Sequence, residues 1–279
     1  MGQFNQIIAE LTDKDFNLFR EVIYRESGIN LSPMKKALVQ SRLMRRMREL
    51  QIRNFNEYYD YLNDNYEEER IHLINCITTN KTDFFREAGH FDYMKNEVLP
   101  KYVNENKKTI RIWSAGCSTG EEPYTIAISL LEYFKDKTLP DIKILATDID
   151  TKVLETAMEG VYKEETVKVV DREVLRRYAL KGVGSNAGFY RMKDSVKKLI
   201  HYRRLNLLDD TFPLKNKFDI IFCRNVVIYF DRNSQVKLFK QFYNYLNNDG
   251  YLFIGHSETL TSVSNLFHFR GRSVYGKVL

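Results

Sequence analysis

One stretch constrains the rest of the chain, Ile110-Arg-Ile-Trp-Ser-Ala-Gly-Cys-Ser-Thr-Gly-Glu-Glu-Pro-Tyr-Thr-Ile-Ala-Ile128. It reads as a buried strand from Ile110 to Ser114, a tight glycine loop, and an amphipathic helix beginning near Glu121. Strand, glycine turn and helix N-terminus in that order hold a nucleotide-shaped ligand at the carboxyl end of a parallel strand. Gly116 and Gly120 let the main chain approach the ligand, and the helix start offers unpaired N–H groups. The spacing departs from the dinucleotide fingerprint, however, because a third glycine is missing and Glu121 and Glu122 crowd the helix start. Carboxylates there suit the helix dipole but repel a pyrophosphate. A ligand without phosphates and with positive charge fits, which describes S-adenosylmethionine. A plain glycine turn before a helix is the alternative.

With 279 residues the chain has room for a small domain and a medium one. Hydrophobic residues make up 43% and charged residues 29%, the composition of an ordinary globular protein with a real core. The three cysteines, Cys76, Cys117 and Cys223, lie far apart without CxxC or histidine pairing. That argues against zinc and a disulfide framework and for a reducing compartment. No run approaches the roughly 18 apolar residues a membrane span needs, and the N-terminus has no secretory h-region. The expected location is the cytoplasm. A net charge of +6 points to an anionic partner, which at this level is nucleic acid, a membrane surface or an acidic protein.

Residues 1–85 read as all-α. Thr12 or Asp13 caps a helix carrying Phe16, Phe19, Val22 and Ile23, closed by Ser27-Gly28. Further helices are expected from Ser32-Pro33 to about Leu50, from Phe55 to Asn63 and from Glu67 to Ile77. A linker helix is expected within 86–109. From Ile110 to the end, short apolar strands alternate with helices: Ile142 onward, Phe218 to Cys223 and Tyr251 to Ile254, with Val274 onward as a last edge strand. Such alternation builds a doubly wound α/β sheet. Between Gly160 and Asn206 an insertion, about 160–205 and including Leu199-Ile-His-Tyr, reads as a small antiparallel β unit.

Several polar residues stand where chemistry would need them. Asp148 ends the second strand, where an acid accepts hydrogen bonds from both ribose hydroxyls of an adenosine ligand. Asp148 and Asp150 also stand where a helix cap would. Arg224-Asn225 follows the strand Phe218 to Cys223, and a charged Arg224 directly after a buried strand needs compensation. The segment Thr78-Thr-Asn80-Lys-Thr82-Asp-Phe-Phe-Arg86 is dense in polar groups, with Thr82 as a possible helix cap. Cys223 reads as an inert core thiol. In the second helix Lys35, Arg42, Arg46 and Arg53 fall within about 20° of one line. With Glu49 the only acid among these cations, this basic stripe suits a nucleic-acid backbone or an acidic helix, against the alternative of a solvated face.

Taken together, Asn80-Lys-Thr82-Asp-Phe-Phe-Arg86, Trp113 to Tyr124, Ala146-Thr-Asp-Ile-Asp150, Leu205-Asn-Leu-Leu208 and Phe222-Cys-Arg-Asn-Val-Val-Ile-Tyr-Phe-Asp231 resemble the chemotaxis receptor glutamate methyltransferases, the CheR family. The resemblance covers nearly the whole chain. It implies a Rossmann-like S-adenosylmethionine-dependent domain with an inserted β-subdomain, preceded by an all-α domain, from a bacterial cytoplasm. It implies transfer of methyl to receptor glutamates, with S-adenosylhomocysteine as product. Carried over by matched position, Asn80, Thr82, Arg86, Gly116, Glu122, Asp148, Asn206, Leu207, Arg224 and Asn225 would bind the cofactor. Arg86 and Tyr229 are the expected catalytic, substrate-orienting groups, and Lys35, Arg42, Arg46 and Arg53 the expected receptor-facing ones. The expected partners are the cytoplasmic helical domain of a receptor and a receptor tail docked on the β-subdomain. A monomer is expected, with no metal, nucleic acid or membrane insertion. An RNA or DNA methyltransferase and a non-enzymatic binding module are the rival readings.

Overall fold

The computed structural model describes residues 10–278, which divide into two compact units. The first comprises the chain up to Thr79 together with Tyr229–Asp231. It holds α1 (Asp13–Ser27), α2 (Lys36–Leu50), α3 (Phe55–Asp64) and α4 (Tyr66–Ile77), with a 3-10 turn at Pro33–Lys35 ahead of α2. Thr12 caps α1 in a reciprocal box with Asp15, and Gly28 ends it in the left-handed region at φ 68°. The apolar faces meet in a core of Phe19, Leu43, Met47, Phe55, Tyr58, Leu62 and Leu73, all buried. Phe19 stacks on Tyr58 with ring centroids 5.5 Å apart.

The far-downstream piece of this unit is bound into it by main-chain contacts. Ile29 bridges to Phe230, and Asn30 N donates to Tyr229 O at 2.9 Å. The Tyr24 hydroxyl donates to Asp231 at 2.5 Å.

The second unit runs from Asn80 to Ile228 and from Arg232 onward. Its first helical stretch is α5 (Gly89–Tyr93), a π-helical turn at Met94–Val98 and α6 (Leu99–Asn104). The sheet is built from β1 (Thr109–Ala115), β2 (Asp141–Asp148), β6 (Ile200–Arg204), β7 (Phe218–Cys223), β8 (Leu246–Ile254), β9 (Phe267–Gly271) and β10 (Val274–Lys277). Their order is β6-β2-β1-β7-β8-β10-β9. The first five are parallel, and β10 and β9 add antiparallel. Helices α7 (Glu121–Tyr133), α8 (Thr151–Glu159) and α12 (Arg232–Tyr245) connect the parallel strands. The fully buried Trp113 donates its indole N–H to Thr147 Oγ1 at 2.9 Å, tying β1 to β2.

A second, three-stranded antiparallel sheet of order β3-β5-β4 is inserted after α8. It comprises β3 (Val161–Lys163), β4 (Ala179–Lys181) and β5 (Phe189–Met192), with the short helices α9 (Glu164–Val167), α10 (Arg172–Tyr178) and α11 (Asp194–Lys197) around it. This is the Rossmann-like α/β architecture with an antiparallel insertion. Two details differ from the sequence reading. Ile200–Arg204 belongs to the main sheet, pairing in parallel with β2 through Ile144↔Ile200, so the insertion ends before it. And β10 is interior, because β9 covers it and forms the edge.

Candidate functional site

At the carboxyl ends of β1, β2, β6 and β7 the second unit gathers most of the polar residues singled out above. The loop after β1 turns at Gly116 (φ 84°), and Gly116 N and Cys117 N both donate to Thr147 O on β2, at 2.8 and 2.9 Å. A Cβ at Gly116 would lie 2.4 Å from Val226 Cγ2, so only glycine lets the loop after β7 close over this turn. Ser118 and Gly120 continue the loop at positive φ, 49° and 98°.

The two aspartates divide their work. Asp150 caps α8, accepting from Lys152 N and Val153 N, and takes the Asn80 amide at 2.7 Å. Asp148 caps nothing. It is 9% exposed and accepts Ser118 N at 2.8 Å and Asp150 N at 3.0 Å, one on each oxygen. Each oxygen therefore keeps a lone pair for a ligand hydroxyl. Burial raises its pKa, and the main-chain N–H groups of Asp150, Ser118 and Ile149 pull it back. Leu205 N donates to Asp148 O at 3.0 Å, which brings Asn206 and the buried Leu207 to the same place. Ser118 Oγ donates to Asn80 O at 3.0 Å, so Asn80 joins as well. Thr82 starts no helix; it is half-buried in the segment between Asn80 and Phe84.

Beside this group lies a buried ionic network. Arg224 Nε donates to Glu122 Oε2 at 2.7 Å, and Ser114 Oγ donates to Glu122 Oε1 at 2.6 Å. Arg224 Nη1 donates to Arg86 O at 2.6 Å and approaches His90 Nδ1 at 3.2 Å. Glu122 is thus the compensation Arg224 needs. Both side chains are engaged within the protein, so they shape the site more than they reach into it. His90 Nε2 lies 2.7 Å from Arg272 O, which makes it the N–H tautomer, so Nδ1 is the acceptor. Burial, then the neighbouring guanidinium, pushes the His90 pKa down to about 4. Glu87, His90 and His256 place ligand atoms within 4.8 Å of one another. With Nδ1 already taken by Arg224, His90 has no lone pair to give a cation.

Sequence reading missed Glu87, His90 and Glu258. Glu258 follows the apolar strand β8 after Gly255-His256-Ser257, an acid shortly past a strand end, which is the nearest sequence signal for it. Glu87 and Asn225 sit in the left-handed region at φ 55° and 59°, and Phe85 at 53°. Glu87 Oε2 and Asn225 Oδ1 are buried acceptors that receive no hydrogen bond. A ligand bringing donors and positive charge fits such a pair, and Asp148 fits its hydroxyls. Arg86 is half-buried, donating from Nη1 to Lys81 O at 2.9 Å. Tyr229 is counted with the helical unit, its half-buried ring 5.8 Å from Lys35 Nζ.

The helical unit also corrects the basic stripe. Arg42 bonds Ile77 O, Thr78 O at 3.0 Å and Thr79 Oγ1 at 3.1 Å, closing the C-terminus of α4. Arg46 forms two bonds to Glu69, at 3.0 and 2.7 Å, and Glu69 is buried. Neither is a free surface cation. On α2 it is Arg45 and Arg48 that are exposed, together with Leu38, and Met34 is exposed just ahead of the helix. Arg53 is exposed beyond it.

Residues 80–275 match the family model described as CheR methyltransferase, SAM binding domain, and 14–78 match CheR methyltransferase, all-alpha domain. The chain belongs to the CheR methyltransferase family. It is 42% identical over 271 residues to the chemotaxis protein methyltransferase of Borreliella burgdorferi, covering 95% of this chain and 94% of that one. Chemotaxis protein methyltransferase 2 of Pseudomonas aeruginosa is 40% identical, with 95% and 93% covered. The Escherichia coli chemotaxis protein methyltransferase is 39% identical, with 95% and 91% covered. The cofactor of this CheR methyltransferase is S-adenosylmethionine. No helix among its described residues is long and apolar enough to cross a membrane.

Proposed function

We propose that the chain transfers the methyl group of S-adenosylmethionine to glutamate side chains of chemotaxis receptors in the bacterial cytoplasm, leaving glutamate methyl esters and S-adenosylhomocysteine. The observation that carries this reading is the match of both units to the CheR family models, and the state of His90 agrees with it. His90 is buried beside the candidate site with one nitrogen donating to Arg272 O and the other accepting from Arg224, so it offers no base to a neutral acceptor. A glutamate side chain, ionised at neutral pH with a pKa near ~4.3, needs none. The names of the relatives support a chemotaxis substrate.

In this reading the cofactor supplies an electrophilic methyl on a sulfonium, and the protein supplies alignment and dryness. Asp148 takes the ribose hydroxyls, with Asn80, Thr82, Asn206 and Leu207 around it. Glu87 Oε2 and Asn225 Oδ1 receive the cationic part. Arg224 and Glu122 hold the loop after β1 against the segment carrying Arg86. Arg86 orients the incoming carboxylate; Arg86→Ala then lowers kcat far more than it weakens binding of S-adenosylhomocysteine, and equal losses would make Arg86 a cofactor ligand only. The receptor-facing surface is the exposed side of α2, with Arg45, Arg48 and Arg53.

The test offers methyl-labelled S-adenosylmethionine together with receptor-containing membranes, followed by mild alkali. Release of the label as volatile methanol identifies a carboxyl methyl ester. Alkali-stable label puts the methyl on nitrogen or carbon and overturns the reading.

A further inference from the structure

The loop between β7 and residue 229 has an anchor that none of the roles above uses. Glu258 is 8% exposed, and among the described residues its carboxylate accepts only main-chain N–H groups, from two segments. Oε2 takes Gly255 N at 2.6 Å and Asn225 N at 3.0 Å. Oε1 takes Val227 N at 2.8 Å and Ile228 N at 3.3 Å. Four converging N–H groups make a nest for an anion, and here the anion is a side chain of the same chain. Three of the four donors belong to the turn whose first residue, Asn225, is held at φ 59°.

The fit around that turn is tight. A Cβ on Gly255 would lie 2.8 Å from Asn225 Nδ2, 2.9 Å from Asn225 N and 2.9 Å from Glu258 Oε2. Gly116 leaves room for Val226 on the other side. The Asn225 amide donates to Glu87 Oε1 at 3.4 Å, and its buried carbonyl oxygen receives no hydrogen bond. A left-handed asparagine with an unmet acceptor keeps that orientation only if its main chain is fixed from elsewhere.

We propose that Glu258 is a positioning residue for methyl transfer, clamping the Asn225–Ile228 turn so that Asn225 is presented to the cofactor. The inference rests on the reading of Asn225 as a cofactor contact and extends it to the group that holds Asn225 in place. Replacing Glu258 by glutamine puts an amide N–H₂ where an oxygen accepted two main-chain donors. The turn loses its anchor while the side-chain volume is kept.

The experiment is a double-mutant cycle read by calorimetric titration of S-adenosylhomocysteine into the full-length protein. E258Q is expected to weaken binding about tenfold in the wild-type background, the loss of a charge-assisted anchor. In the Asn225→Ala background it should change affinity less than twofold, because the residue it positions is gone. A similar loss in both backgrounds, or no loss in either, overturns the proposal. Should E258Q fail to fold, Gly255→Ala disturbs the same turn from the opposite side and should give the same pattern. Failure of the unmutated protein to bind S-adenosylhomocysteine would overturn the cofactor reading itself, and this proposal with it. Normal wild-type binding with an additive cycle would overturn the clamp alone.

Discussion

Arg46 offers a decisive test, because the sequence places it on a binding surface and the structure pairs it, half-buried, with the buried carboxylate of Glu69. Its guanidinium makes two hydrogen bonds to Glu69, whose side chain is 2% exposed, and the Tyr58 hydroxyl donates to the same carboxylate at 2.8 Å. Arg46→Met removes the cation and leaves a buried carboxylate with one neutral donor. Deleting one partner of a buried pair costs about 3–5 kcal/mol, because the desolvation of the survivor is no longer offset. The assay is urea unfolding of the full chain followed by far-ultraviolet circular dichroism; the single tryptophan, Trp113, lies in the other unit and does not report on this one. Arg45→Met is the control. Its side chain is 82% exposed and only 3.9 Å from Glu49, so a change within about 0.5 kcal/mol is expected. The double variant Arg46→Met/Glu69→Leu should recover most of the loss, since an apolar pair of similar volume needs no desolvation. If Arg46→Met unfolds at the same urea concentration as Arg45→Met, the pair is not structural and the argument fails.

Further expectations concern the second unit. His90 takes no proton until about pH 4, whereas an unfolded histidine does so near 6.5. The unfolded state therefore binds more protons in that window, and stability falls as pH drops through it by up to about 3 kcal/mol. Asp148 and Glu258, whose pKa values burial raises, act in the opposite sense, so the clean observable is the difference from a His90→Asn variant, which should lack this slope. Parallel slopes in the two proteins would refute it. Asp148→Ala should weaken S-adenosylhomocysteine binding in calorimetry, while Asp150→Ala should mainly lower unfolding free energy by about 1 kcal/mol through the lost α8 cap. Gly116→Ala should cost more than about 1 kcal/mol from its left-handed backbone alone, and Val226→Ala in the same chain should recover part of the loss; thermal unfolding reads both.

The residues gathered at the candidate site were legible where they hang on chain order. The glycine turn after β1, the acid at the end of β2 and the charged pair after β7 all lie at strand ends, and period and punctuation mark strand ends well. What sequence could not give was the direction of each side chain. Arg42 and Arg46 share a helical line with Lys35, but only the packing of α2 on α4 reveals that the line faces a carboxylate and a helix end. The choice between Asp148 and Asp150 as the cap likewise needed the start of α8. Ile200–Arg204 reads as a hairpin strand because its polar residues are those of any edge; its parallel pairing with β2 is a long-range fact. The strand β9 was missed for the same reason, with charged and half-exposed residues hiding its pattern.

The helical unit is not a continuous piece of chain, since Phe230 bridges to Ile29 and Tyr229 O accepts Asn30 N. A gene fragment ending at Thr79 would therefore encode an incomplete object, with the main-chain groups of 29–30 left without their partners. Recombining the all-α part of one relative with the catalytic part of another would mix two lineages inside a single folded body. Exchange of receptor preference between such enzymes is thus expected to require a matched three-residue graft at 229–231 along with the N-terminal segment.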